Sequence, residues 1–225
     1  MQQIISLGCS LTAQAGYVKY LNLAHNLNIQ NLAVSAGSNE LQSFRLNNLL
    51  VNNQVSRDAI LLWQITGPWR SLRTFSAKDS KPYINKLGDP TEKECLYDCF
   101  YENTGLYNQQ SLVLLCNHPY FDNYLHNISY NLHSTTCDIF KWSFLVKHII
   151  VYLGWSWPDD GQVDKSLEFL KTAENITVIP KENNILDVCK NNNWVITDDS
   201  HPTEESYIKW CKQVLEPVLL SKLKS

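Results

Sequence analysis

The chain has 225 residues, of which 44% are hydrophobic and 18% are charged. Eleven Tyr, seven Trp and seven Phe supply enough apolar surface for a large buried core, so the composition excludes a mainly disordered chain. The formal net charge of −3 gives no reason to expect a basic surface, which argues against nucleic acid as a partner.

The first third of the chain alternates short apolar runs with segments of helical spacing. The predicted strands span 3–7, 31–34 and 59–63, and the predicted helices between them span 15–27 and 41–51. Parallel strands need a crossover connection, which is usually a helix, so this alternation predicts a doubly wound parallel sheet. Ligands bind beyond the carboxyl ends of such strands. The segments expected there are 8–12, 35–39 and 64–70.

Regular patterning is lost between residues 70 and 119, where polar and aromatic residues are mixed with Gly and Pro. A structureless segment of this length is uncommon inside a compact domain unless it is functional. We expect a partly helical, aromatic-rich insertion at about 68–140 that caps the site of a single domain spanning 1–225. The remaining predicted elements are a largely helical segment at 120–148, strands at 149–155 and 176–179, and helices at 186–190 and 203–220. The α/β class expected is a three-layer α/β/α sandwich around a mainly parallel sheet of about five strands.

The segment Gly8-Cys9-Ser10-Leu11-Thr12 directly follows the first predicted strand. A serine here lies at the ligand-binding edge of the sheet, where the N-terminus of a following helix favours negative charge near its hydroxyl. A structural role is also open, in which Ser10 or Thr12 caps that helix. Cys9 could itself be a nucleophile, although alternation along the turn favours a buried, inert thiol.

Near the C-terminus, Asp198 and His201 lie three residues apart in a polar turn before the last predicted helix. His201 could act as general base on a hydroxyl, with Asp198 orienting its ring and stabilising the imidazolium. The structural alternative is that Asp199 or Ser200 caps the last helix and that His201 is a solvated loop residue.

Together the two segments resemble the SGNH or GDSL hydrolases, a family of esterases. The family's first block reads Gly-Asp-Ser-(Leu/Ile)-(Thr/Ser), and residues 8–12 match it except that Cys9 replaces the Asp. Its last block reads Asp-x-x-His-Pro-(Thr/Asn), which residues 198–203 match fully. The Gly-x-Ser-x-Gly elbow of α/β-hydrolases is absent from the sequence. The resemblance implies an SGNH-hydrolase or flavodoxin-like fold, with Ser10 as nucleophile, His201 as general base and Asp198 as its partner.

The resemblance also implies an oxyanion hole with three donors. Two are backbone N–H groups, one of Ser10 and one of Ala36 or Gly37 in the second block. The third is an Asn side chain in the family motif Gly-x-Asn-Asp, where this chain reads Trp-Gln-Ile-Thr-Gly at 63–67. The candidate replacements are Asn39, Gln64 and Thr66. Loss of one oxyanion donor can reduce transition-state stabilisation by roughly 2.7–4 kcal/mol. This departure from the motif is therefore expected to affect the rate more than the type of reaction.

The activity implied by the resemblance is hydrolysis of carboxylic esters through an acyl-enzyme, with no metal and no organic cofactor. Small acyl groups, chiefly acetyl, on sugars or glycans are the leading substrates. Trp69 could stack on a sugar ring and Arg70 could bind an anionic group, although core and salt-bridged roles are equally open for them. Two other functions stay open: a lysophospholipase- or thioesterase-type lipid esterase, and a glycan-binding module that has lost turnover. Acyl transfer to an alcohol other than water is a third possibility.

The seven cysteines include no Cys-x-x-Cys pair, and the histidines share no metal-ligand spacing. We therefore expect free thiols in a reducing compartment and no metal site. No apolar run reaches the roughly 18 residues of a membrane span, and we expect no signal peptide, since no Lys or Arg precedes the first apolar run. The expectation is a cytoplasmic protein whose partner is a small-molecule or glycan ester.

Overall fold

The computed structural model describes residues 2–13, 16–33, 38–66, 70–76, 110–116, 128–155, 161–198 and 201–224. Its centre is a five-stranded parallel sheet with the strand order β2-β1-β3-β6-β7. The strands are β1 (Ile4–Leu7), β2 (Ile29–Asn31), β3 (Ile60–Ile65), β6 (His148–Leu153) and β7 (Ile176–Val178). The predicted parallel sheet of about five strands is confirmed, and β7 is the edge strand that the sequence predicted.

Eight α-helices lie among the described residues. They are α1 (Ser10–Ala13), α2 (Gly16–His25), α3 (Asn39–Val51), α4 (Ile128–Ser143), α5 (Gln162–Leu170), α6 (Ile185–Asn191), α7 (Glu204–Trp210) and α8 (Glu216–Leu223). A π-helical turn over Cys211–Leu215 joins α7 to α8, so the last predicted helix is continuous. A short 3-10 helix, Lys181–Asn183, precedes α6.

Two apolar cores lie on opposite faces of the sheet, because successive side chains of a strand point to opposite sides. On β3, Ile60 and Leu62 pack against α2, α6, α7 and α8, whereas Leu61, Trp63 and Ile65 pack against α3, α4 and α5. Strands buried on both faces read as continuous apolar runs, which is why they were visible in the sequence. The result is the predicted three-layer α/β/α sandwich.

A second, antiparallel sheet of two strands lies within the predicted insertion. It pairs β4 (Arg70–Ser76) with β5 (Gln110–Cys116) in a register that matches Arg70 with Cys116. Here the described chain is extended rather than helical. The connecting residues 77–109 and the following residues 117–127 lie outside the described ranges, so the capping role of the insertion stays a prediction.

His148 begins β6, and its side chain is buried next to β7. Its Nε2 lies 2.9 Å from Oγ1 of Thr177. Burial lowers the pKa of His148 to about 4, and the positive charges of Lys222 and Lys147 act in the same direction. The imidazole is therefore neutral in the folded protein at neutral pH, whereas an unfolded histidine titrates near its ordinary value of about 6.5.

This histidine should make the protein less stable in acid. The unfolded state takes up a proton as the pH falls from about 6.5 towards 4, while the folded state does not, so His148 stabilises the fold only above that window. We expect it to account for a loss of about 1–3 kcal/mol in the free energy of unfolding, measured by urea titration at pH 7.5 and pH 4.5. In a His148→Gln variant, the free energy of unfolding should fall by less between pH 7.5 and pH 4.5. An equal loss in both proteins would show that His148 is not responsible.

Candidate active site

The turn after β1 brings Ser10 to the carboxyl edge of the sheet. Gly8 and Cys9 lead directly from β1 into α1, of which Ser10 is the first residue. The Cys9 carbonyl accepts hydrogen bonds from the backbone N–H groups of Thr12, at 2.9 Å, and Ala13, at 2.7 Å, which closes the turn. Ser10 is 3% exposed and Cys9 is fully buried. The first N–H groups of α1 have no carbonyl within their own helix to bond.

The Ser10 hydroxyl lies next to His201. Its Oγ is 2.7 Å from Nε2 of His201, which is hydrogen-bond distance, although 191 residues separate the two in sequence. The loop that carries the histidine is closed by hydrogen bonds from the Thr197 N–H (2.7 Å) and hydroxyl (2.6 Å) to the His201 carbonyl. A hydroxyl and an imidazole in this arrangement can exchange a proton.

Asp198 lies in the turn that precedes His201, and its side chain is exposed. Within the described part of the chain its carboxylate forms no hydrogen bond or ion pair, so its role as partner of the histidine stays a prediction. The cap of the last helix is Thr203, whose Oγ1 accepts a hydrogen bond from the Ser206 N–H. The observed cap residue therefore differs from the predicted alternatives, Asp199 and Ser200.

Gln64, one of the three candidate side-chain donors to the oxyanion, is committed to the Ser10 turn. Its Oε1 accepts hydrogen bonds from the backbone N–H of Cys9 at 3.0 Å and from Oγ1 of Thr12 at 2.8 Å. The side chain is fully buried. The amide therefore ties the end of β3 to the turn after β1.

Asn39 is also committed, at the start of α3. Its Nδ2 donates to the carbonyl of Thr66 at 3.2 Å, and its Oδ1 accepts from the N–H of Thr66 at 2.8 Å. These two bonds fix the residue that follows β3. The Thr66 hydroxyl itself is buried and has no hydrogen-bond partner in the described ranges. Two of the three candidate side chains thus have a buried donor without a partner there: the hydroxyl of Thr66 and Nε2 of Gln64.

Several predicted site residues fall outside the part of the chain that the structure describes. They are Ala36 and Gly37 of the second block and Trp69 after the third strand. Arg70 is the first residue of β4. Their predicted contacts with the oxyanion or the substrate stay predictions.

A buried cluster of hydroxyl groups behind the Ser10 turn was not predicted. The Tyr17 hydroxyl donates to Oγ1 of Thr12 at 2.9 Å and lies 2.7 Å from the Tyr152 hydroxyl, which is 3.2 Å from the same Oγ1. Burial raises the pKa of Tyr152 to about 12 and that of Tyr17 well above its usual 10, so both stay protonated and can donate. In the sequence these tyrosines have the spacing of ordinary core residues.

The described ranges hold no group of three or more His, Cys, Asp and Glu side chains placed to bind a metal ion. Cys9, Cys137, Cys189 and Cys211 are free thiols. Among the helices of these ranges, none combines the length and the apolar character required to cross a membrane.

No protein-family model matches the sequence, and no curated protein is similar enough to count as a match. Among solved structures, a member of the lipolytic protein G-D-S-L family from Veillonella parvula is 16% identical, with 95% of this chain and 97% of that chain covered at a TM-score of 0.52. A GDSL-like lipase from Bacteroides thetaiotaomicron is 11% identical, with 98% and 88% covered at a TM-score of 0.49.

A psychrotrophic esterase from Pseudoalteromonas sp., in a structure inhibited by monoethylphosphonate, is 14% identical, with 97% and 99% covered at a TM-score of 0.47. At such low identities a likeness concerns the fold alone, and of these three structures the one from Veillonella has a TM-score above 0.5. The chain shares the fold of that lipolytic G-D-S-L protein over almost its whole length. The fold expected from the resemblance to the SGNH or GDSL hydrolases is thereby confirmed.

Proposed function

We propose that the protein is a serine hydrolase of the SGNH or GDSL type that cleaves carboxylic esters through an acyl-enzyme. The observation that carries this proposal is the 2.7 Å contact between Oγ of Ser10 and Nε2 of His201 at the carboxyl edge of the sheet. The two sequence blocks that resemble the family supply these residues, and the fold shared with the Veillonella lipolytic protein supports the same assignment.

In the proposed reaction, Oγ of Ser10 attacks the ester carbonyl carbon while Nε2 of His201 takes the hydroxyl proton. The tetrahedral intermediate then collapses, and His201 returns the proton to the departing alcohol, which leaves the acyl group on Ser10. Water enters, His201 removes its proton, and the resulting attack releases the carboxylic acid and restores the serine. Asp198 would orient the imidazole and stabilise its charged form.

The proposed oxyanion hole combines backbone and side-chain donors. The N–H of Ser10 and the N–H of Ala36 or Gly37 are the backbone donors, in line with the family pattern. The Thr66 hydroxyl is the proposed third donor, because it has no hydrogen-bond partner in the described chain, whereas Asn39 is bonded to the Thr66 backbone. The Gln64 amide directs its oxygen to the turn that carries Ser10, and its Nε2 lies against Gly154. Donors placed in advance around a developing oxyanion contribute strongly in a water-excluded site.

This assignment predicts the effect of two substitutions at one position. Thr66→Val removes the hydroxyl at nearly constant volume and should lower kcat by about 10²-fold, with little change in the melting temperature. Thr66→Ser keeps the hydroxyl and should stay within about tenfold of the wild type. The measurement is the kcat of each variant on a nitrophenyl ester. If Thr66→Val keeps the wild-type kcat, Thr66 is not a donor in the oxyanion hole.

For the substrate, we propose small acyl groups, chiefly acetyl, on carbohydrates. We propose that residues 1–225 form one SGNH-hydrolase-like domain, in which the aromatic-rich insertion at about 68–140 caps the site. Trp69 and Arg70 are proposed to contact the substrate. Seven Trp and eleven Tyr give the chain many rings suited to stacking on sugars. Neither a metal nor an organic cofactor takes part in the proposed steps.

A substrate panel tests this choice. Acetylated saccharides are compared with nitrophenyl esters of increasing acyl length, and Ser10→Ala serves as the control in every assay. Preferred turnover of acetylated saccharides is the expected result. A rate that rises with acyl length would instead identify a lysophospholipase- or thioesterase-type lipid esterase.

The altered third block at 63–67 and the engagement of Asn39 favour a second candidate function, namely a glycan-binding module whose turnover is impaired. Binding of acetylated saccharides without their hydrolysis, in a folded protein that a fluorophosphonate does not label, would establish this candidate. Labelling of the wild type at Ser10 would exclude it.

A further inference from the structure

Gln64 occupies a slot at the end of β3 that two glycines create. It pairs in register with Tyr152 of β6 and is fully buried. Gly8 follows β1 on one side, and Gly154 follows β6 on the other. A Cβ on Gly8 would collide with Oε1 of Gln64, and a Cβ on Gly154 would collide with its Nε2. The amide fits because neither neighbour has a side chain.

The two ends of the Gln64 amide have different surroundings. The oxygen accepts hydrogen bonds from the Cys9 N–H, at 3.0 Å, and the Thr12 hydroxyl, at 2.8 Å. A backbone N–H can only donate, so the oxygen end must face Cys9. The nitrogen Nε2 is buried and has no hydrogen-bond partner in the described ranges. The contacts of this side chain are therefore made through its oxygen.

The two shortest hydrogen bonds to this oxygen come from residues that flank Ser10 in the chain, and the Cys9 Sγ lies at 3.5 Å from the same atom. One donor is the N–H of the preceding residue, Cys9, whose carbonyl closes α1. The other is the Thr12 hydroxyl, which is also bonded to the Tyr17 hydroxyl. His201 reaches Ser10 from a separate loop, so the 2.7 Å contact requires the Ser10 turn to be held in place relative to the sheet.

We propose that Gln64 is a positioning residue for Ser10 that acts through Oε1, and that it is not a donor to the substrate oxyanion. The inference rests on the proposed function, because placement of Ser10 matters only where Ser10 reacts. A displacement of about 1 Å at a reacting atom can cost about 10²-fold in rate. Gln64 thus affects the reaction without touching the substrate.

The test compares Gln64→Met with Gln64→Glu. Glu keeps an oxygen facing the Cys9 N–H and the Thr12 hydroxyl but loses the amide N–H, whereas Met has a similar length and lacks both polar groups. The measurement is the second-order rate constant for labelling of Ser10 by a fluorophosphonate. We expect Gln64→Met to react about 10- to 100-fold more slowly than the wild type, and Gln64→Glu to stay within about fivefold.

If the fluorophosphonate labels the wild type, either of two results would overturn the proposal. One is a wild-type rate in Gln64→Met. The other is an equally slow rate in both variants, which would assign the effect to the amide N–H. Should Gln64→Met fail to fold, Thr12→Val replaces it, with Thr12→Ser as its control. Thr12→Val removes one donor to the same oxygen and is expected to react about tenfold more slowly, and an unchanged rate would contradict the proposal.

Hydrogen exchange at the Cys9 amide separates this inference from the proposed function. Gln64→Met should speed exchange of that N–H, and Gln64→Glu should preserve its protection, whether or not Ser10 reacts with the probe. An unlabelled wild-type protein would refute the proposed function alone. Unchanged Cys9 exchange in Gln64→Met would refute the positioning role alone.

Discussion

Replacing Ser10 with Ala is expected to lower kcat/KM for ester hydrolysis by about 10⁴-fold or more, because Oγ of Ser10 is the atom that forms the acyl-enzyme. The residual rate would come from binding and from the remaining oxyanion donors. Ser10 is small and almost fully buried, so its replacement by Ala should leave the melting temperature nearly unchanged. Steady-state kinetics on a nitrophenyl acetate and a thermal melt provide the two measurements.

The adjacent thiol gives a matched control for this variant. Cys9→Ala alters the neighbouring side chain, which is fully buried and lies 3.5 Å through its Sγ from Oε1 of Gln64. We expect Cys9→Ala to stay within about tenfold of the wild type. The opposite pattern, with activity retained in Ser10→Ala and lost in Cys9→Ala, would make Cys9 the nucleophile.

Replacing His201 with Asn should lower kcat/KM by a similar factor, about 10³-fold or more. The reason is that Ser10 then loses the base that accepts its proton, and the leaving alcohol loses its acid. His25→Asn is the matched control, since His25 is bonded to Glu216 at 2.9 Å on α8 and has no proposed catalytic role. A loss of activity in His25→Asn equal to that in His201→Asn would indicate that both substitutions act through the fold.

The strands of the centre of the sheet could be predicted because they are buried on both faces. Ile60–Ile65 is such a run, and its continuous apolar character shows in the sequence. The edge strand β2 was predicted at 31–34 but lies at Ile29–Asn31. The position of β2 is set by the pairing of Ile4 with Ile29, and Ile29 is the only buried residue of this strand. A run of apolar residues in the sequence therefore could not locate it.

The helix α5 was missed although its signal was present. Val163, Leu167 and Leu170 are buried at spacings of four and three, which is the pattern of one helix face. The polar residues between them obscured this face. A count of matches to the helical spacing over 162–170 would have found it.

The proximity of Ser10 and His201 was predictable from the two sequence blocks that resemble the SGNH or GDSL hydrolases, although the strand pattern placed only the Ser10 block at the carboxyl edge of the sheet. The direction of the Gln64 amide was not predictable, because an amide carries both a donor and an acceptor. The Cys9 N–H decides which end faces it, because it can only donate. The room for the amide comes from Gly8 and Gly154, which follow two separate strands that only the folded sheet brings together. The sequence therefore suggested Gln64 as an oxyanion donor, whereas the structure supports the positioning role.

Mass spectrometry of the protein after reaction with a fluorophosphonate tests whether Ser10 is the nucleophile and His201 its base. We expect a single adduct, located by peptide mapping on Ser10 and formed far more slowly in His201→Asn. An adduct on a different residue, or none in a folded wild-type protein, would contradict this assignment.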